Sequence, residues 1–204
     1  EVAARGTRGD ALAVIVSGDG GWAGLDREVA GVLAARGVPV VGLDSLRYFW
    51  TARTPDGAAR DLARILRYYL AAWNRKEALL IGYSLGADVL PFMTSRLPPD
   101  LLPRVRLLAL LGPDRFATFE FHITEWLKLG ENREFPVLPE VRKLAGRPPL
   151  LCVYGKKEGE DSICPAIAPP LGQAVALSGA HHFGGNYDAV AGLILQAAQA
   201  GGRR

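Results

Sequence analysis

Apolar residues in this chain alternate between short unbroken runs and longer stretches in which they return every three or four positions. Unbroken runs read as strands buried on both faces of a parallel sheet, and the spaced stretches read as amphipathic helices. The first strand is expected over 11–16, followed by a helix over 22–36 with Leu25, Val29, Val32 and Leu33 on one face and Gly37 as its stop. A second strand, 38–43, precedes a helix capped by Thr54, opened by Pro55 and running to about Trp73. Leu62, Ile65, Leu66, Tyr69 and Leu70 keep helical spacing within it. A third strand, through Ala78-Leu79-Leu80-Ile81, runs into Ser84, and a helix from there to about Leu97 should kink at Pro91. Strands over 105–111, 150–154 and 174–177 and a closing helix over 187–199 complete the pattern. Strands alternating with helices in this way predict an α/β fold, a mostly parallel sheet of about six strands with helices on both faces.

The alternation breaks between Gly112 and Pro148, a stretch carrying Phe116, Phe119, Phe121, Trp126 and Phe135. It is too long for a simple connection, so the expectation is one domain over 1–204 with an aromatic-rich insertion or lid at about 113–147.

The chemistry is concentrated in Gly82-Tyr83-Ser84-Leu85-Gly86. A strand, a sharp turn with serine at its apex and a helix are the context of a nucleophile elbow, and the turn needs small residues at both flanks. In an elbow fold the remaining triad members follow in the order acid, then histidine. Three histidines exist: His122 stands in the aromatic insertion, whereas His181 and His182 follow the last strand. We favour His182 as base, with His181 as the alternative. The acid should follow strand 150–154, where Glu158, Glu160 and Asp161 compete. Asp161, four residues before Pro165, is favoured. Backbone N–H groups of Leu85 and of Asp19, in the loop Ser17-Gly18-Asp19-Gly20-Gly21-Trp22, are the expected oxyanion donors. That loop lacks both phosphate-binding glycine patterns, so no cofactor is expected, nor is a metal. Cys152 and Cys164 flank the acid loop and are expected to form a disulfide.

A net charge of +3 with interleaved acids and bases gives no nucleic-acid stripe, and no apolar run approaches the ~18 residues of a membrane span. The chain starts at Glu1 without a methionine, which reads as a mature or excised fragment.

Ser17-Gly18-Asp19-Gly20-Gly21-Trp22, Leu46-Arg47-Tyr48-Phe49-Trp50, the elbow and His181-His182-Phe183 together resemble the VirJ/AcvB family of bacterial virulence-associated α/β hydrolases, over nearly the whole chain. The resemblance implies an α/β-hydrolase fold and a periplasmic protein that hydrolyses aminoacyl-phosphatidylglycerol, releasing lysine or alanine at the membrane surface. It also implies a link to type IV secretion and hence secretion-system proteins as partners. Tyr48 and Trp50 would then contact the lipid, and Asp19 or Glu120 would receive the amino group. Another esterase or thioesterase, or a non-catalytic secretion accessory, are the other readings.

Overall fold

The computed structural model describes residues 1–4, 9–120 and 134–201; Phe121, His122 and Trp126 lie outside the described residues. In chain order the strands are β1 (Ala11–Val16), β2 (Val40–Leu43), β3 (Glu77–Tyr83), β4 (Val105–Leu111), β5 (Phe116–Ala117), β6 (Phe135–Pro136), β7 (Leu150–Gly155) and β8 (Gln173–Leu177). The helices are α1 (Gly24–Ala35), α2 (Ser45–Tyr48), α3 (Pro55–Ala72), α4 (Leu85–Ser95), α5 (Val137–Lys143) and α6 (Tyr187–Gly201).

Six strands form one sheet in the order β2-β1-β3-β4-β7-β8, and every neighbouring pair is parallel. Side chains of a strand alternate between faces, so each strand feeds two cores. Leu12, Val14 and Val16 of β1 pack with Leu62 of α3, Val89 of α4 and Val137 of α5. Ala13 and Ile15 pack on the opposite face with Leu25 of α1 and Ile194 of α6. The continuous apolar runs in the sequence are the consequence of this two-sided burial.

The expected strands and helices appear within a few residues of their predicted ends, with informative exceptions. Trp22 is not helical. Its ring lies over Gly42 of β2, where even a Cβ would clash with it, and α1 begins at Gly24. Thr54 caps α3 by accepting from the Gly57 N–H at 3.0 Å, and α4 runs through Pro91 as one helix. Two short helices carried no periodic signal. α2 is started by Asp44, which accepts from the Arg47 N–H at 3.2 Å. α5 is tied to α4 by buried Glu140, which lies 2.6 Å from Arg96 and 2.7 Å from Lys143. Cys152 and Cys164 form the expected disulfide, with Cα atoms 5.4 Å apart. Among the described residues no helix is long and apolar enough to cross a membrane.

The loops that leave the carboxyl ends of β1, β3, β4, β7 and β8 carry the chemistry-bearing residues. In open α/β sheets that edge is where ligands bind.

Candidate active site

Ser84 stands between β3 and α4 with φ 52° and ψ −123°, a conformation that costs a non-glycine residue of the order of 1–3 kcal/mol. The neighbours show why the turn tolerates nothing larger than glycine at its flanks. A Cβ on Gly82 would run into the Gly86 carbonyl, and one on Gly86 into the Val16 carbonyl. The Ser84 N–H donates to Leu111 O at 2.9 Å, and its own carbonyl accepts from Ala87 and Asp88 N–H at 2.7 and 3.0 Å. The serine thus sits at the positive end of α4, where Leu85 supplies one of the first-turn N–H groups that have no partner within the helix. The same helix anchors the next loop: buried Asp88 accepts from the Asp114 N–H at 2.7 Å. Burial pushes the Asp88 carboxyl well up, with that hydrogen bond opposing the rise.

The glycine-rich loop after β1 is pressed against the serine. A Cβ on Gly18 would lie 3.2 Å from the Tyr83 ring and 3.4 Å from Ser84 Cβ. Ser17 Oγ accepts from the Ser45 N–H at 3.0 Å, and Ser45 Oγ donates to Ser17 O at 2.7 Å, so α2 fixes the loop's base. Asp19 is exposed; its side chain accepts from the Gly20 N–H at 2.9 Å.

The acid–base pairing differs from the sequence expectation. His181 Nδ1 lies 2.6 Å from Glu158 Oε1, and the other Glu158 oxygen accepts from the Gly155 N–H. A tight turn, Glu158 N–H to Gly155 O at 2.9 Å, folds Glu158 back over the end of β7. Asp161 is three residues further on, in an exposed 3-10 turn (Gly159–Asp161), and Glu160 is also exposed. His182 instead pairs with the residue before the serine, its Nδ1 lying 2.7 Å from Tyr83 Oη. The structure thus pairs His181 with Glu158 and His182 with Tyr83, where the sequence expectation had paired His182 with Asp161. The His181 ring stacks on Tyr83 with centroids 5.3 Å apart. Gly112, at the end of β4 with φ +60°, leaves the space: a Cβ there would lie 2.9 Å from His181 Cε1 and 3.4 Å from Glu158 Oε1.

This pair is electrostatically coupled. Burial works to raise the Glu158 carboxyl, but the hydrogen bonds from His181 and Gly155 outweigh it and hold the group below its ordinary value. The Glu158 hydrogen bond raises His181, with burial opposing. The burial of the two side chains is unequal: 12% of Glu158 and 38% of His181 is exposed, so the acid is the more shielded partner. With Nδ1 engaged, Nε2 is the His181 nitrogen left to act on a hydroxyl.

Ser84, His181 and His182 line one cavity of about 430 Å³, together with Gly18, Asp19, Asp26 and Tyr187. A larger hollow of about 740 Å³ beside Tyr68 and Tyr69 on α3 is lined by Asp61, Arg64, Ile65 and Arg67 as well, away from the elbow serine and the two histidines. The other expected contact residues are elsewhere. The Tyr48 hydroxyl donates to Asp61 at 2.7 Å, Phe49 is wholly buried, and Trp50 is 58% exposed. Neither Tyr48, Trp50 nor exposed Glu120 lines the cavity of Ser84. Phe119 and Phe135 pack on Phe92 of α4, with centroids 5.7 and 5.8 Å away, so these aromatics of the expected lid are core.

Solved structures show where this architecture recurs. Proline iminopeptidase from Mycobacterium smegmatis is 13% identical with a TM-score of 0.63, over 98% of this chain and 94% of that one. Est1E from Butyrivibrio proteoclasticus, with ferulic acid bound, is 13% identical with a TM-score of 0.64, over 98% and 92%. A thioesterase domain from the curacin biosynthetic pathway is 16% identical with a TM-score of 0.59, over 91% of each chain. The fold is that of the α/β hydrolases. No curated protein matches the sequence significantly. A family model described as bacterial virulence protein (VirJ) matches residues 10–201.

Proposed function

The chain belongs to the VirJ family of bacterial virulence proteins, and we propose that it is a serine hydrolase whose catalytic groups are Ser84, His181 and Glu158. The observation that carries this reading is the 2.6 Å pairing of His181 with Glu158 in a loop that shares a cavity with an elbow serine. Ser84 Oγ attacks an ester carbonyl while His181 Nε2 takes its proton. Glu158 fixes the tautomer and stabilises the imidazolium that forms. The N–H groups of Leu85 and Asp19 hold the oxyanion, a role supported by the close approach of Gly18 to Ser84 Cβ. His181 returns the proton to the leaving alcohol, and water then releases the acid from the acyl-enzyme.

The substrate we propose is the aminoacyl ester of aminoacyl-phosphatidylglycerol, lysyl or alanyl, as the family resemblance implies. The leaving group is then the lipid glycerol hydroxyl, and the product is a free amino acid. The working compartment we propose is the periplasm, a reading supported by the Cys152–Cys164 disulfide, since such bonds persist in oxidising surroundings.

The test is to incubate aminoacylated phosphatidylglycerol with the protein and with Ser84→Ala, and to separate lipids and free amino acid by thin-layer chromatography. Loss of the aminoacyl lipid with the wild type alone is the expected result. Turnover of simple esters or thioesters with the lipid untouched moves the substrate to the other esterase reading. No turnover by either protein, with in-cell function retained by Ser84→Ala, indicates a secretion accessory.

A further inference from the structure

Asp26 is the third residue of α1 and only 2% exposed. One carboxyl oxygen accepts from the Ala23 N–H at 3.4 Å, a long contact that closes the first turn of the helix. The other, Oδ1, is buried and has no hydrogen-bond partner among the described residues. Buried carboxyl oxygens rarely lack a partner, because burial strips their hydration and returns nothing. Burial accordingly pushes this group up to about 6; the backbone N–H groups of Ala23 and Asp26 pull it down, and Asp44 adds to the rise. Asp26 is one of the residues that line the cavity holding Ser84 and His181. Nothing in the acid–base chemistry derived above uses it.

We infer that Asp26 is the specificity residue of this cavity, its carboxylate receiving a primary ammonium group on the acyl side of the ester. The inference rests on Ser84 being the hydrolytic nucleophile. An ammonium supplies both the donor that Oδ1 lacks and the opposite charge that a buried carboxylate needs. The other acids named from the sequence are poorer receivers. Asp19 is exposed and occupied by the Gly20 N–H, so an ion pair there stays solvated and weak. Glu120 does not line the cavity. Because Oδ1 is shielded, the ammonium reaches it through a side-chain rotation or a small shift of the adjoining turn. Gly20, Gly21 and Gly24 make the backbone there the most adaptable part of the wall.

The experiment compares alanine ethyl ester, N-acetylalanine ethyl ester and ethyl propionate as substrates of the wild type and of Asp26→Asn. The amide keeps the shape and the Ala23 contact but removes the charge. The wild type should prefer the free-amino ester. In Asp26→Asn, kcat/KM on that ester should fall about ten- to a hundredfold, with the other two esters unchanged within about threefold. Equal losses on all three would assign Asp26 to the oxyanion loop or the fold and overturn the inference. So would a wild type that hydrolyses ethyl propionate as well as alanine ethyl ester, whatever the variant does. Labelling with a fluorophosphonate separates the two levels. If Ser84 reacts and the selectivity is missing, only Asp26 is misassigned. If Ser84 is not labelled and no ester turns over, the hydrolase reading falls and this inference with it.

Discussion

Glu158 Oε1 lies 2.6 Å from His181 Nδ1, and the glycine at position 112 is what leaves room for both. The acid we propose is therefore the first carboxylate after β7, three residues beyond Gly155, and not the one nearest the following proline. Glu158→Gln should lower kcat/KM on any ester by about 10³–10⁴-fold, because an amide stabilises neither the right tautomer nor the imidazolium. Asp161→Asn should stay within about twofold. A large loss in Asp161→Asn with Glu158→Gln active would reverse the assignment.

The two histidines should separate in the same way. His181→Ala should abolish turnover to near the Ser84→Ala level, since removing one member disables the unit. His182→Ala removes a partner of the Tyr83 hydroxyl and should leave measurable activity. Steady-state rates of the two variants decide between them.

The pH dependence follows from the coupling of the pair. His181 must be neutral to accept the serine proton, and Glu158 raises it above its ordinary 6.5. The acid limb of kcat/KM should have its midpoint above 6.5, and Glu158→Gln should move it down. Stability has its own signs. His181 is raised in the fold, so its contribution is complete below 6.5 and is lost as pH rises through the raised value. Glu158 is lowered, so its contribution is complete above 4.5 and is lost as pH falls through the lowered value. The melting difference between wild type and Glu158→Gln should be widest between 4.5 and 6.5. A difference that keeps growing above that window would contradict the pairing.

What could be read from the sequence was what local pattern determines. Strands buried on both faces are continuous apolar runs, and Ser84 is flanked by Gly82 and Gly86 because two carbonyls crowd those positions. Which histidine meets which carboxylate was not local. His181 and His182 are adjacent, and which faces Glu158 depends on how the chain turns after Ala180, whose carbonyl accepts from the Phe183 N–H at 2.8 Å. The glycine directly after β4 was not a specific signal either, since its positive φ alone accounts for a glycine there, whatever ring packs over it. Asp26 gave no signal at all. As an acid in the first turn of a helix it looks like an ordinary dipole partner, and only its burial and unpaired oxygen set it apart.

The disulfide should matter for both stability and the site. Cys152 lies in β7 and Cys164 just past the acid loop, twelve residues apart, so the bond closes a loop containing Glu158 and is worth roughly 3 kcal/mol by loop entropy. A Cys152→Ala, Cys164→Ala double variant should melt several degrees lower and lose activity through a looser Glu158. Thiol counting in denaturant without reductant should find none in the native protein. Two titratable thiols would remove the bond and the support it lends to an oxidising compartment.

Asp26 should also reveal itself in the absence of substrate. Its carboxyl is raised from 3.8 to about 6 on folding, so the folded state holds the proton more tightly than the unfolded chain. The protonated form carries the more stable fold, and that advantage is lost as pH rises through about 6. The full shift corresponds to about 3 kcal/mol, an upper figure because water and side-chain movement relax a buried charge. Asp26→Asn cannot ionise. Its amide buries two donors in place of an oxygen, which costs a similar amount at every pH and cancels when one pH is compared with another. The melting temperature of Asp26→Asn minus that of wild type should therefore rise between pH 4 and pH 7 and level off above. For a chain of 204 residues the rise should reach several degrees. A flat difference across that range would mean that the carboxylate already has a partner in the free protein, and the case for an incoming ammonium would lose its physical basis.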